Sequence, residues 1–295
     1  MKTSANSQKF ITTAALAILL SLVTVIFGAP FLRVLRKSFG ARAYWLLGLV
    51  VVTTAWFLNA QPLALLIGSV WMTLGAYMEM ESQGFGWWIS GVLSVLAGTA
   101  FAGILGFVAL RVNGISDYAG VEALFEQLSQ RVQDMNPAVK FTSEILLQQA
   151  PSAIVILLVM ALGMGLIFER RVFSWLNLPR ERTASQLKLL EYRLPDYFIW
   201  IAMIAFLLTV VSFGGKAVAI VAVNILNVTI VLYFFQGLAV LEVFLNSLRA
   251  GMFTRVLTYI ILVGQLLLLL SIVGLADYWV DFRRRLQKIK TVESN

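Results

Sequence analysis

Apolar residues run through this chain in long blocks, with the polar residues gathered between them. Blocks near residues 10–32, 44–58, 63–78, 88–110, 152–168, 196–213, 217–246 and 257–276 suit helices crossing a ~30 Å hydrocarbon core. The pattern predicts an all-α, polytopic transmembrane helix bundle of about eight spans, built as a single integral membrane domain over 1–295. Segments 44–58 and 63–78 are short. They fit tilted spans, or a helical hairpin that does not cross fully.

Between Arg111 and Ala150 the pattern changes. Val121, Leu124, Phe125, Leu128, Val132 and Met135 recur at helical spacing, with polar residues between. This predicts an amphipathic membrane-edge insertion over 116–149. Its first helix is capped by Ser116 or Asp117 and stopped at Asn136-Pro137. A second short helix runs from Phe141 to Gln149, and Pro151 opens the next span. The polar face carries Asp117, Glu122, Glu126 and Asp134 against Arg131. Anionic lipid repels such a face, so the insertion reads as a lid or a partner surface.

The longest apolar block, 217–246, also carries the most amides. Asn224, Asn227, Val231, Phe235, Leu238, Glu242 and Asn246 fall on one stripe of a helix. An amide facing hydrocarbon leaves donors and acceptors unpaired, so the stripe should face protein or a wet cavity. Asn224 and Glu242 lie ~27 Å apart along the axis, so one of them sits near an interface. Asn224, Asn227, Gln236 and Gln265 are the candidate ligand-binding residues. Clamping of helices by interhelical amide bonds is the alternative.

Small residues mark close helix contacts. Thr13, Ala17 and Ser21 form a ridge at i, i+4, i+8, and Gly91, Ser94, Gly98, Ala102 and Gly106 give 88–110 a small face. Gly84, Gly86, Trp87 and Trp88 mark an interface.

Composition removes whole classes of chemistry. The chain is 60% hydrophobic and 13% charged, which excludes a soluble domain of 295 residues. There is no cysteine and no histidine, so disulfides, thiolate nucleophiles, Cys/His metal sites and histidine relays are out. The carboxylates gather at span ends, so no catalytic residue, metal or cofactor is assigned, and an enzyme is not expected. No phosphate-binding loop is present, so any energy coupling must come from another chain or a gradient. The net charge of +8 comes from basic loops and a basic tail, 277–295. It fits a lipid bilayer rather than nucleic acid.

Charge does not orient the eight-span reading. With both termini on one side, that side carries 11 Lys and Arg and the other 12. Termini inside is the working orientation.

The ending GLADYWVDFRRR, preceded by VNILNVTIVLYFFQGLAVLEVF, resembles the YybS-like family of bacterial membrane proteins of unknown function. The shared motif falls on Asn224, Gln236, Gly237, Gly274, Asp277, Asp281 and Arg283. The resemblance implies a multi-pass protein of the bacterial cytoplasmic membrane. It also implies a distant similarity to the substrate-binding S-components of energy-coupling-factor vitamin transporters. Such proteins capture a small molecule and dock on an energising partner through small residues of the first helix, here Thr13, Ala17 and Ser21. On that reading Gly237, Gly274, Asp277, Asp281 and Arg283 stabilise a helix end. The rival function is a scaffold or assembly factor that docks a protein through the acidic amphipathic helix.

Overall fold

The computed structural model describes residues 2–135, 142–178, 192–211, 215–248 and 251–285. Every regular element among them is a helix. The Asn136-Pro137 stop, the loop cations Arg180, Arg182 and Lys188, and most of the basic tail lie outside the described residues. So does the side chain of Gln265. The chain divides into two compact units, 1–186 and 187–295.

The first unit contains α1 (Lys2–Val23), α2 (Ala29–Phe39), α3 (Ala41–Phe57), α4 (Gln61–Ser82), α5 (Trp87–Val112), α6 (Tyr118–Met135) and α7 (Ser143–Trp175). Here the block at 10–32 departs from expectation. It is two helices joined by a turn at Thr24–Gly28, not one span. Pro30 sits in the first turn of α2, where a missing N–H costs nothing and the fixed φ favours a new helix start. The turn folds α2 back along α1. Phe10 meets Phe39 edge-to-face at 5.1 Å. A Cβ at Gly28 would overlap Ser21 and the Ala17 carbonyl. Thr13, Ala17 and Ser21 are buried, so their ridge is used inside the chain.

Helices α3 and α4 form a hairpin. The Tyr44 hydroxyl donates to the Trp71 carbonyl at 2.6 Å, and the Trp71 indole donates back to the Tyr44 carbonyl at 3.2 Å. Buried polar side chains thereby gain partners at the crossing. Along α5, Ser94, Gly98 and Ala102 are buried. A Cβ at Gly98 would overlap Thr73 Oγ1 of α4 and lie 3.0 Å from Leu158 of α7. Gly91 has open space around it, and Gly106 only touches Leu65. The close contact is therefore confined to the middle of the predicted small face.

Asp117 caps α6, accepting from the Gly120 N–H at 3.1 Å. The expected second short helix and the span after it are one helix, α7, which runs through Pro151. Thr142 caps it, accepting from the Ile145 N–H. At ~1.5 Å per residue its 33 residues reach ~50 Å, beyond a ~30 Å core. Helix α6 packs against α7.

The second unit contains α8 (Tyr197–Val211), α9 (Gly215–Ser247), α10 (Met252–Gln265) and α11 (Leu267–Val280). Helix α9 is continuous over the whole amide-bearing block. Helix α8 pairs with its first half and α11 with its second. The block at 257–276 is broken at Leu266, where the backbone leaves helical geometry (φ −125°, ψ 38°).

Among the described residues, four helices, α4, α5, α7 and α9, are long and apolar enough to cross a membrane. Stretches of α1, α3, α8 and α11 are apolar but shorter. Large apolar side chains such as Leu96, Phe107, Phe206 and Val210 stand exposed on these helices, as lipid-facing residues do.

Candidate functional site

Two buried polar clusters stand out, one in each unit. The first is built of charge. Arg33 lies in the middle of α2, an amphipathic helix whose residues 29–35 are all buried. Its guanidinium is 1% exposed. It reaches Glu169 of α7 at 2.7 Å and Glu81 of α4 at 3.2 Å. Lys37, one turn on, reaches Glu169 at 2.9 Å and Glu81 at 3.3 Å. Two cations and two carboxylates thus share a neutral site and tie together α2, α4 and α7. Such a group of charges is tolerable away from water only because each has partners. Burial opposes the charge on Arg33, and the carboxylates of Glu169 and Glu81 offset it. Its outer face lies 5.2 Å from the centre of the Tyr77 ring. At the rim, Arg36 donates to Glu79 at 2.8 Å, and the Trp45 indole donates to the same oxygen at 3.3 Å.

The second cluster uses amides and glycines. Gln236 is buried in α9. It accepts from the Leu194 N–H at 3.1 Å and donates to the Gly274 carbonyl of α11 at 3.0 Å. At this level α9 and α11 touch backbone to backbone. A Cβ at Gly237 would overlap the Leu270 carbonyl, and one at Gly274 the Tyr233 carbonyl. One turn beyond Gly274, Asp277 is 1% exposed and accepts from Arg283 at 2.7 and 3.0 Å. Arg283 also donates to the Tyr192 carbonyl at 2.9 Å. Asp281 ends α11 in the left-handed conformation (φ 48°), which lets the chain turn and bring Arg283 back onto Asp277. Gly237, Gly274, Asp277, Asp281 and Arg283 therefore meet in one motif.

Of the expected ligand-binding set, the side chains of Gln236, Asn224 and Asn227 are described. Gln236 holds backbone groups, the Leu194 N–H and the Gly274 carbonyl. Asn224 is half-buried and donates to the Ile220 carbonyl of its own helix at 2.8 Å. Asn227 is also half-buried. Further along the stripe, Glu242 accepts from Arg255 at 3.1 Å and from the Tyr259 hydroxyl, both on α10. Arg255 also donates to Asn246 at 2.6 Å. The stripe thus faces protein at its lower end. A groove of about 410 Å³ runs between α8 and α9. Its walls include Ile201, Leu208, Val218 and Ile225, all apolar, and neither Asn224 nor Asn227 lines it. Among the described residues no group of three acidic side chains is placed to hold a metal.

The charged cluster is what sequence reasoning missed. Arg33, Glu81 and Glu169 each look like an ordinary charge at the edge of a span, and they are far apart in sequence. One signal was present. Arg33 interrupts an apolar face formed by Phe31, Leu32, Val34 and Leu35 directly after a helix-starting proline.

Long apolar helices, exposed apolar surfaces and charges buried only in neutral groups define an α-helical protein suited to a bilayer. Comparison with known families agrees. The chain matches the family described as "Predicted membrane protein (DUF2232)" over residues 9–278, and it belongs to that family. No curated protein and no solved structure matches it.

Proposed function

We propose that this chain is a non-enzymatic, multi-pass scaffold of the bacterial cytoplasmic membrane that docks a protein partner through α6. One observation carries the reading. The charged cluster of the first unit and the Gln236 and Asp277–Arg283 contacts of the second hold helices, whereas the acidic side chains of α6 are exposed. Glu122, Glu126 and Asp134 are exposed, and Met135 at the end of the helix is 80% exposed. The acidic face beside exposed Leu128 and Met135 fits a partner with a basic, partly apolar surface. Bilayer lipid of negative charge is disfavoured there. A photo-crosslinker at Gln130 tests this. A defined protein adduct that disappears in Glu122→Lys/Glu126→Lys, with the variant still folded, supports it. The same adduct at full yield in that variant overturns it.

A second reading is small-molecule capture resembling a transporter S-component. The apolar α8–α9 groove favours it, for a ligand with an apolar body. Asn224 and Asn227 would then act at its edge. Docking on an energising partner through Thr13, Ala17 and Ser21 has no support, because that ridge is buried within the chain. Retention of a ligand by wild type and its loss in folded Asn227→Leu would favour capture over the scaffold.

A further inference from the structure

The first unit has two ends, and the helix termini sort cleanly between them. Lys9, two turns into α1, donates to the Asn177 carbonyl just past α7, at 2.8 Å. Phe10 meets Phe39 at the end of α2. Arg33 and Arg36 bind carboxylates in the last turn of α4. Helix α3 begins two residues after α2, and α5 begins after a four-residue turn from α4. So the beginnings of α1, α3 and α5 and the ends of α2, α4 and α7 share one end. At the opposite end, Asn113 after α5 donates to Gln61 at the start of α4, at 2.5 Å. Helix α6 connects α5 to the start of α7 there.

Two consequences follow. First, α1 and α2 do not cross. They enter and return, and the depth of the return is set by the 11 residues of α2, ~16 Å or about half of a ~30 Å core. Second, the charge balance changes. Among the described side chains of this unit, Lys9, Arg33, Arg36, Lys37, Arg42, Arg170 and Arg171 lie at the charged-cluster end. Only Arg111 and Arg131 lie at the other. Seven against two is a marked asymmetry under the positive-inside rule, since these residues flank spans on short segments.

We infer that the first unit is inserted with its charged-cluster end in the cytoplasm and α6 on the outer face, and that α1 and α2 form a re-entrant hairpin. The chain's own four crossings in this unit are then α3, α4, α5 and α7. If the docking reading above holds, the partner of α6 is an extracytoplasmic protein, and that clause alone depends on it.

The absence of cysteine makes the test direct. Ser7→Cys, Arg42→Cys, Glu126→Cys and Arg170→Cys each replace an exposed residue. Each variant is treated in intact spheroplasts with a membrane-impermeant maleimide, then again after permeabilisation, with denatured protein giving the total. The expected result is labelling of position 126 in intact spheroplasts and of 7, 42 and 170 only after permeabilisation. Labelling of 7 and 42 from opposite sides overturns the re-entrant hairpin. Labelling of 42 and 170 in intact spheroplasts, with 126 protected, overturns the orientation. Partner binding enters neither outcome, so failure of the docking reading is separately visible.

Discussion

The two units solve the same problem with different chemistry. Each must hold helices together in surroundings where apolar side chains gain little by leaving lipid. The first unit does it with a neutral group of charges, Arg33 and Lys37 between Glu81 and Glu169. The second does it with almost no charge at the crossing itself. Gly237 and Gly274 let two backbones touch, and Gln236 fills the remaining donors and acceptors. The difference teaches where each unit is brittle. A charged group fails when one member is removed, because the others stay buried. A glycine crossing fails when one atom is added.

The largest expected effect follows from the charged side. Arg33→Met leaves Glu81 and Glu169 facing one another with Lys37 alone. A loss of ~3–5 kcal/mol is expected, read as a fall in thermal stability in detergent. Replacing all four members with uncharged residues of similar size should recover most of it. Equal melting temperatures for Arg33→Met and wild type would break the comparison at its first term.

Next comes the glycine crossing. Gly237→Ala and Gly274→Ala each set a methyl group against a carbonyl of the facing helix, so α9 and α11 must separate. About 1–3 kcal/mol is expected for each. Because the two glycines share one contact, the double variant should cost less than the sum. Strict additivity would show that they act at separate places.

Gln236→Leu should cost about 1–3 kcal/mol, mainly because the buried Leu194 N–H loses its acceptor. Gln236→Glu keeps that acceptor but loses the donor to the Gly274 carbonyl. Hydrogen exchange at Leu194 should therefore rise in the first variant more than in the second. Equal protection in both would remove Gln236 from the clamp. Asn224→Ala belongs at the bottom of the series. The Asn224 amide donates to the Ile220 carbonyl of its own helix, and a change of ~0.6 kcal/mol, the size of one such bond, is expected in the same melting assay. A larger loss would restore Asn224 as an interhelical or ligand contact.

Much of the helical architecture was legible in the apolar pattern, and the reason is simple. In a bilayer the length of an apolar run reports directly on helices. The run containing Asn224 to Asn246 is one helix for this reason. The same signal is blind to a turn made of apolar residues. Thr24–Gly28 carries no charge to mark it, so 10–32 read as one span. Only Gly28 and Pro30 hinted otherwise. That reading also placed Lys9 and Arg42 on opposite sides, which left the charge count balanced. The charged cluster was illegible for a different reason. Its partners come from three separate helices, and nothing local distinguishes a buried Glu169 from the exposed Arg170 beside it. Gln236 was visible as a polar residue needing partners. Whether those partners were a ligand or the backbone of α11 depended on the Gly237–Gly274 contact, which sequence spacing does not contain.

The claim that buried polar groups serve the fold, and α6 serves a partner, is tested most directly by native mass spectrometry. The protein would be purified from its own membranes in mild detergent, alongside Glu122→Lys/Glu126→Lys and Asn227→Leu. The account predicts a protein adduct on wild type, lost in the charge-reversal variant and kept in Asn227→Leu. A small-molecule adduct that survives charge reversal and disappears in Asn227→Leu would contradict it and place the function in the second unit.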